Sequence, residues 1–101
     1  MLAQSHTAIG RCQAKLGRMT EAAAAFREAI AEAHRCQLPF LEMIARRDFI
    51  THVLDKEGPE RRKSQMPALG RVISSMVMPA AEYTAVLGAG LDAEEAVAAF
   101  R

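Results

Sequence analysis

Apolar residues recur every three or four positions through most of this chain, which is the period of an α-helix rather than the alternation of a strand. Over residues 2–16 this spacing predicts a first helix with one apolar face. That face comprises Ala8, Ile9, Cys12 and Leu16. Gly17 is expected to end the helix, because glycine readily adopts the left-handed conformation of a helix cap.

A second helix is predicted over residues 21–37, after a connection of about three residues. Thr20 is suited to cap it, and Glu21 lies in its first turn, where a carboxylate complements the exposed N–H groups. Its apolar stripe comprises Ala22, Phe26, Ala29, Ile30 and Ala33. Because so short a connection forces two helices to lie side by side, we expect residues 2–37 to form an antiparallel hairpin.

A third helix is predicted over residues 39–57, with Pro39 in its first turn and Gly58 and Pro59 ending it. Its apolar residues do not form one narrow stripe but surround much of the circumference. A helix of this kind is covered on more than one side. We therefore expect it to be the central element.

The remainder of the chain predicts shorter elements. Residues 58–66 are polar and mostly basic, and we expect a connector there, either a loop or a single helical turn. Residues 67–101 are expected to form short helices, the first two at 68–77 and 80–87 with Pro79 between them. Asp92 then opens the last helix, with Glu95 completing a capping box.

Composition agrees with an all-α fold, since half the residues are apolar and only 5% are aromatic. The thirteen basic and twelve acidic residues give a formal charge of +1, without the single-sign excess typical of a nucleic-acid-binding protein. No stretch without a charged residue is longer than residues 72–81, which are too few to span a membrane. Two distant cysteines favour a reducing compartment, so we expect an intracellular protein, cytoplasmic or organellar.

One segment of the chain recurs. Residues 21–27 match residues 95–101 at six of seven positions, at an offset of 74 residues. That offset is about twice the period of a helix-turn-helix solenoid repeat, with a degenerate middle copy expected around residues 58–63. The chain is therefore interpreted as a single helical domain that is a fragment of a longer repeat protein or a small subunit.

The first third of the chain also resembles a known family. The residues that carry the resemblance are Ile9-Gly10, Leu16-Gly17-Arg18, Glu21-Ala22, Phe26 and Ala29-Ile30. Their spacing is similar to that of the tetratricopeptide repeat (TPR). The resemblance implies helical hairpins in a right-handed solenoid-type stack, with the first helix of each pair facing a concave binding groove. In this chain that face would carry Gln4, Thr7, Arg11 and Lys15.

Two surfaces are candidate partner-binding sites. The cations Arg11 and Lys15 would attract an acidic segment or a C-terminal carboxylate, although a solvated helix face would look the same. Near the C-terminus, Met76, Met78 and Tyr83 belong to an adaptable apolar cluster. That cluster is either a docking surface or part of the core.

The sequence contains no convincing catalytic or cofactor pattern. Asp48 and His52 are four residues apart on the third helix, as in a carboxylate–imidazole pair, but no nucleophile accompanies them. His34 and Cys36 are two residues apart and would point in different directions on a helix, so a metal site is not expected. We accordingly predict a protein that is not an enzyme and needs no cofactor.

Two functions remain open from the sequence. The first is a noncatalytic helical-repeat module or scaffold that binds other proteins. The alternative is a small accessory structural subunit of a large multi-subunit assembly, with an organellar location left open. A separate module should be monomeric and folded alone, whereas an obligate subunit should not.

Overall fold

The fold begins with two helices joined by the short turn that the sequence predicts. The computed structural model describes residues 2–88 and 90–101, and the side chains among these from residue 5 onward. Helix α1 spans Leu2–Lys15 and α2 spans Met19–Arg35. Between them Gly17 has a φ of +77°, which confirms its role as the left-handed residue that ends α1.

The predicted buried face of α2 is confirmed. Ala22, Phe26, Ala29 and Ala33 are fully buried, while Ile30 is only partly covered. The Phe26 ring packs against Gly10 of α1, where an added Cβ would lie 2.8 Å from the ring. Gly10 therefore allows the two helices to approach closely with a large ring between them. Thr20 does not cap α2, because the capping position is Arg18, whose side chain makes no cap hydrogen bond.

The burial of α1 differs from the prediction. Ile9, Cys12 and Leu16 are exposed, and Leu16 keeps 67% of its surface accessible. The face that packs against the rest of the protein instead carries Thr7, Gly10 and Ala14. Small residues occupy this face because larger side chains from the neighbouring helices fill the space beside it. A close approach between helices also needs small side chains. The predicted apolar face was therefore wrong.

Helix α3, at Pro39–His52, packs against α1, α2 and the following helix, which confirms its central position. Its buried side chains include Met43, Phe49 and Ile50. The turn before it differs slightly from expectation, since α2 ends at Arg35 and Gln37 adopts a left-handed φ of +56°. After α3 the chain continues as a short 3₁₀ helix at Leu54–Glu57 rather than as one helix to residue 57.

The expected connector at residues 58–66 is instead the first half of a long helix. Helix α4 spans Pro59–Ser74 and passes through Pro67 without a break. A proline inside a helix costs about 3 kcal/mol, because it removes one hydrogen bond and crowds the preceding turn. Here Pro67 lies on the exposed side, and the opposite side buries Met66, Leu69, Val72 and Ile73. This burial outweighs the cost of the proline.

Two short helices complete the chain. Helix α5 at Ala80–Leu87 has the predicted bounds, and α6 spans Ala93–Phe100. Asp92 caps α6 as predicted, because its carboxylate accepts hydrogen bonds from the backbone N–H groups of Glu94 and Glu95. Helix α6 packs chiefly on α4, at a point where an added Cβ on Gly70 would lie 1.9 Å from the carbonyl oxygen of Ala96.

The all-α fold class is confirmed, since the described residues form six α-helices and one 3₁₀ helix and include no strand. The helices surround one hydrophobic core, and the molecule measures 35 × 30 × 20 Å. None of the helices in the described part of the chain combines the length and apolarity needed to cross a bilayer.

Candidate functional site

A buried carboxylate joins three helices at the edge of the core. Glu42 of α3 is 3% exposed, and its Oε2 accepts hydrogen bonds from Arg46 Nε and Arg71 Nη2, both at 2.9 Å. Its Oε1 lies 3.3 Å from Nδ1 of His34 on α2. Arg46 follows Glu42 by one helical turn, whereas Arg71 comes from α4. Glu42 thus holds two guanidinium groups at fixed positions where α2, α3 and α4 meet.

These guanidinium groups line an open cleft of about 380 Å³. A third arginine, Arg27 of α2, lies over the Phe49 ring with 5.6 Å between its Cζ and the ring centroid. Such a contact favours a cation, because the face of an aromatic ring is electron-rich. The full lining comprises Arg27, Ile30, Ala31, His34, Arg46, Phe49, Gln65 and Arg71. We call this depression the basic cleft.

A second depression of about 310 Å³ adjoins the basic cleft, because both are lined by His34 and Arg71. Its other walls come from the α2–α3 turn, the first turn of α3 and the C-terminal end of α4. They comprise Gln37, Leu38, Pro39, Glu42 and Ser75. We call this second depression the side pocket. Glu42 is the only carboxylate that lines either depression among the residues that the structure describes.

The face of α1 expected to form a groove is only partly covered. Thr7 is buried, and Arg11 Nη1 donates to Asp48 Oδ2 of α3 at 2.8 Å. Lys15 is exposed, and the side chain of Gln4 lies outside the described residues. Of the three positions whose side chains are described, Arg11 and Lys15 remain accessible and Thr7 does not. Arg11 instead neutralises a buried carboxylate of the neighbouring helix.

Asp48 and His52, whose spacing resembles that of a carboxylate–imidazole pair, make contacts with other residues. Asp48 accepts hydrogen bonds from Arg11 and from Nε of Arg47, the latter at 3.1 Å. The His52 ring stacks on Phe26, with centroids 6.2 Å apart and an interplanar angle of 11°. Each side chain thus contributes to helix packing.

The apolar cluster near the C-terminus divides between core and surface. Tyr83 is buried, with 3% of its surface exposed, so it packs in the core rather than facing a partner. Met76 is partly buried against the core. Met78 is 49% exposed and the adjacent Val77 is fully exposed. Of the three predicted positions, Met78 is the most accessible.

The two cysteines are free and exposed, Cys12 on α1 and Cys36 in the turn after α2. Cys36 Sγ donates to Glu32 Oε1 at 3.5 Å. Desolvation and this hydrogen bond to a carboxylate raise the pKa of the Cys36 thiol. The described residues contain no cluster of three side chains able to hold a metal ion.

Sequence reasoning did not single out the arginines of the basic cleft. Arg27, Arg46 and Arg71 come from three different helices, and no local pattern joins them. The one available signal was the spacing of Glu42 and Arg46, four residues apart, which places opposite charges on one helix face. That signal gives no indication of burial.

Comparisons with protein-family models, with curated proteins and with solved structures found no match to this chain.

Proposed function

We propose that this chain is a noncatalytic helical interaction module that binds a segment of another protein in the basic cleft between α2, α3 and α4. The observation that carries the proposal is the open cleft with three arginines on its walls. Open concave surfaces with a few positioned polar groups are the usual form of binding sites. Arginine is also enriched at the centres of protein interfaces.

The chemistry of the cleft favours binding over catalysis. A guanidinium group donates hydrogen bonds but does not lose its proton in proteins, so arginines do not act as general acids or bases. Two of the three arginines are held by Glu42, and the third lies on an aromatic ring. Such fixed cations reduce the entropy lost when a ligand binds.

The arrangement of the helices supports a repeat-type scaffold as part of this proposal. Helix α3 packs on both α1 and α2, as the first helix of a following hairpin does in stacked-repeat proteins. Helix α4 packs on α3, and it begins at Pro59, within the residues 58–63 where the degenerate middle copy is expected. In this interpretation α1–α2 and α3–α4 are two successive TPR-like hairpins, and the basic cleft lies where they meet.

A substitution that fills the cleft without changing its charge tests the binding function. Ala31 is exposed and lines the basic cleft, so Ala31→Trp should block it. Ala24 is exposed on the same helix and does not line the cleft, so Ala24→Trp is the matched control. Peptides are first selected from an unbiased displayed library by their binding to the wild-type protein. These peptides should bind the Ala24→Trp variant and should not bind the Ala31→Trp variant. Equal binding to both variants would contradict a function in this cleft.

The alternative, an accessory structural subunit, is favoured by a different observation. Large apolar side chains are exposed at separate places on the molecule, including Ile9 on α1, Leu16 directly after α1 and Val77 before α5. Subunit interfaces bury such side chains. Size-exclusion chromatography with circular dichroism separates the two functions. A folded monomer supports the interaction module, whereas aggregation or partial unfolding in isolation supports the obligate subunit.

A further inference from the structure

We infer that the basic cleft binds an acidic peptide segment that also carries apolar side chains, with its carboxylates on Arg27, Arg46 and Arg71. This inference rests on the proposed interaction function and specifies the chemistry of its ligand. Its basis is the charge, the remaining hydrogen-bond capacity and the shape of the cleft.

The charge of the site is strongly one-sided although the whole chain is nearly neutral. Three guanidinium groups and one carboxylate, that of Glu42, line the basic cleft and the side pocket together, which leaves two positive charges in excess. The formal charge of the whole chain is only +1. The excess is therefore concentrated at the junction of α2, α3 and α4. A concave site of one sign attracts ligands of the opposite sign and speeds their association.

The arginines retain donors for a ligand. A guanidinium group carries five N–H donors. Arg46 donates one hydrogen bond to Glu42 through its Nε, and Arg71 donates one through its Nη2. The remaining donors of each group form a planar fork suited to a carboxylate. Because Glu42 is buried, its hydrogen bonds hold both forks in place before a ligand arrives.

The shape of the site favours an extended ligand over a small ion. The basic cleft and the side pocket adjoin at His34 and Arg71, with volumes of about 380 and 310 Å³. Each also has apolar walls, formed by Ile30 and Phe49 in the cleft and by Leu38 and Pro39 in the side pocket. A single phosphate would leave most of this surface uncovered. A peptide that combines acidic and apolar side chains would contact both kinds of wall.

Direct binding to designed peptides tests this inference. The probes are fluorescein-labelled peptides of about ten residues in which Leu alternates with Glu, with Gln or with Lys, and binding is followed by fluorescence anisotropy. We expect the Glu peptide to bind at least about ten times more tightly than the Gln peptide, with an affinity that falls as salt rises. The Lys peptide should not bind. Equal binding of the Glu and Gln peptides would overturn the inference.

Two arginine substitutions locate the contact. Arg27→Gln and Arg71→Gln should each weaken binding of the Glu peptide about five-fold or more, because each removes a donor fork. Arg61→Gln is the control, since Arg61 is exposed on α4 and pairs with Glu57 outside the cleft. Circular dichroism checks that each variant is folded, and Arg27 makes no contact with Glu42, so at least one variant keeps that network. Unchanged binding by folded Arg27→Gln and Arg71→Gln would overturn the assignment.

Competition by inorganic phosphate or a phosphoserine peptide distinguishes the other anions. If either displaces the labelled Glu peptide at concentrations well below those that the unlabelled Glu peptide needs, the site is a phosphate site and the inference fails.

Failure of the proposed function gives a different result. If the library yields neutral or basic peptides whose binding is lost in the Ala31→Trp variant, the proposed interaction function stands but the acidic ligand is excluded. A library with no peptide sensitive to Ala31→Trp would exclude both.

Discussion

At the scale of single residues, Glu42 shows how one buried charge organises a surface. Two arginines and a histidine from three helices face its carboxylate. Burying a carboxylate is costly unless it is paired and fully hydrogen-bonded. The partners supply those hydrogen bonds, and the same contacts hold cations beside the cleft. Stability and the candidate site therefore depend on the same side chain.

Glu42→Gln should destabilise the protein by about 2–3 kcal/mol, because it keeps the side-chain volume but leaves Arg46 and Arg71 close together without a counter-charge. Urea denaturation followed by circular dichroism measures the change. Glu28→Gln, on the exposed side of α2, is the control and should cost less than about 0.5 kcal/mol. Equal effects of the two substitutions would show that Glu42 does not join the helices.

The Cys36 thiol provides a test of local electrostatics. Desolvation and the hydrogen bond to Glu32 raise its pKa, so a smaller fraction is thiolate at about pH 8 than for an ordinary cysteine. Glu32→Gln removes the negative charge, lowers the pKa of Cys36 and should speed its alkylation several-fold. The measurement uses iodoacetamide on a Cys12→Ser background, so that one thiol reacts. Glu28→Gln is the matched control, and an identical rate for Glu32→Gln and Glu28→Gln would refute the explanation.

At the scale of elements, the recurring segment lies at the same place in two helices. It begins two residues inside α2 and two residues inside α6. Ala22 and its counterpart Ala96 are both fully buried. The two phenylalanines at the sixth position of the segment differ, because Phe26 is fully buried whereas Phe100 is 45% exposed. The neighbours, rather than the segment, determine the burial of the ring.

Substituting both phenylalanines measures that difference. Phe26→Ala should cost about 3–5 kcal/mol, because it leaves a cavity beside Gly10 that the surrounding alanines are too short to fill. Phe100→Ala should cost less than about 1 kcal/mol, since much of its ring remains in water. Denaturant melts of both variants give the comparison. Similar costs would show that the ring of Phe100 is buried as deeply as that of Phe26.

At the scale of the whole molecule, the contact between α4 and α6 attaches the C-terminal helices to the rest of the fold. Gly70 and Ala96 form its closest point, and both residues are buried. Ala93 and Val97 on the same face of α6 are also buried. A helix of eight residues is marginal alone in water, so α6 depends on this contact.

Gly70→Ala should therefore destabilise the protein even though alanine is the better helix former. Alanine favours a helix by about 1 kcal/mol relative to glycine. The added Cβ would lie 1.9 Å from the carbonyl oxygen of Ala96, and relieving such an overlap costs about 1–3 kcal/mol or more. We expect lower stability and faster amide hydrogen exchange in α6. Ser74→Ala, at an exposed position of α4, is the control. A stabilised Gly70→Ala variant would contradict the close packing.

The sequence predicted the individual helices better than the way in which they pack against one another. The stripe of α2, the bounds of α5 and the Asp92 cap were predicted correctly because each depends on residues within a few positions of one another. The exposed apolar face of α1 and the continuation of α4 through Pro67 were missed. In both cases packing by distant helices overrides a local preference, and local periodicity contains no information about those helices.

By itself, the sequence determined the all-α class and most of the helix boundaries, because helix periodicity, caps and breakers act over only a few residues. The tertiary structure alone decided which face of α1 is buried and which charges from different helices meet. Arg27, Arg46 and Arg71 are far apart in the chain, and they line one cleft only because α2, α3 and α4 converge around Glu42. The candidate site is thus a property of helix packing, which depends on the complementarity of whole helix surfaces.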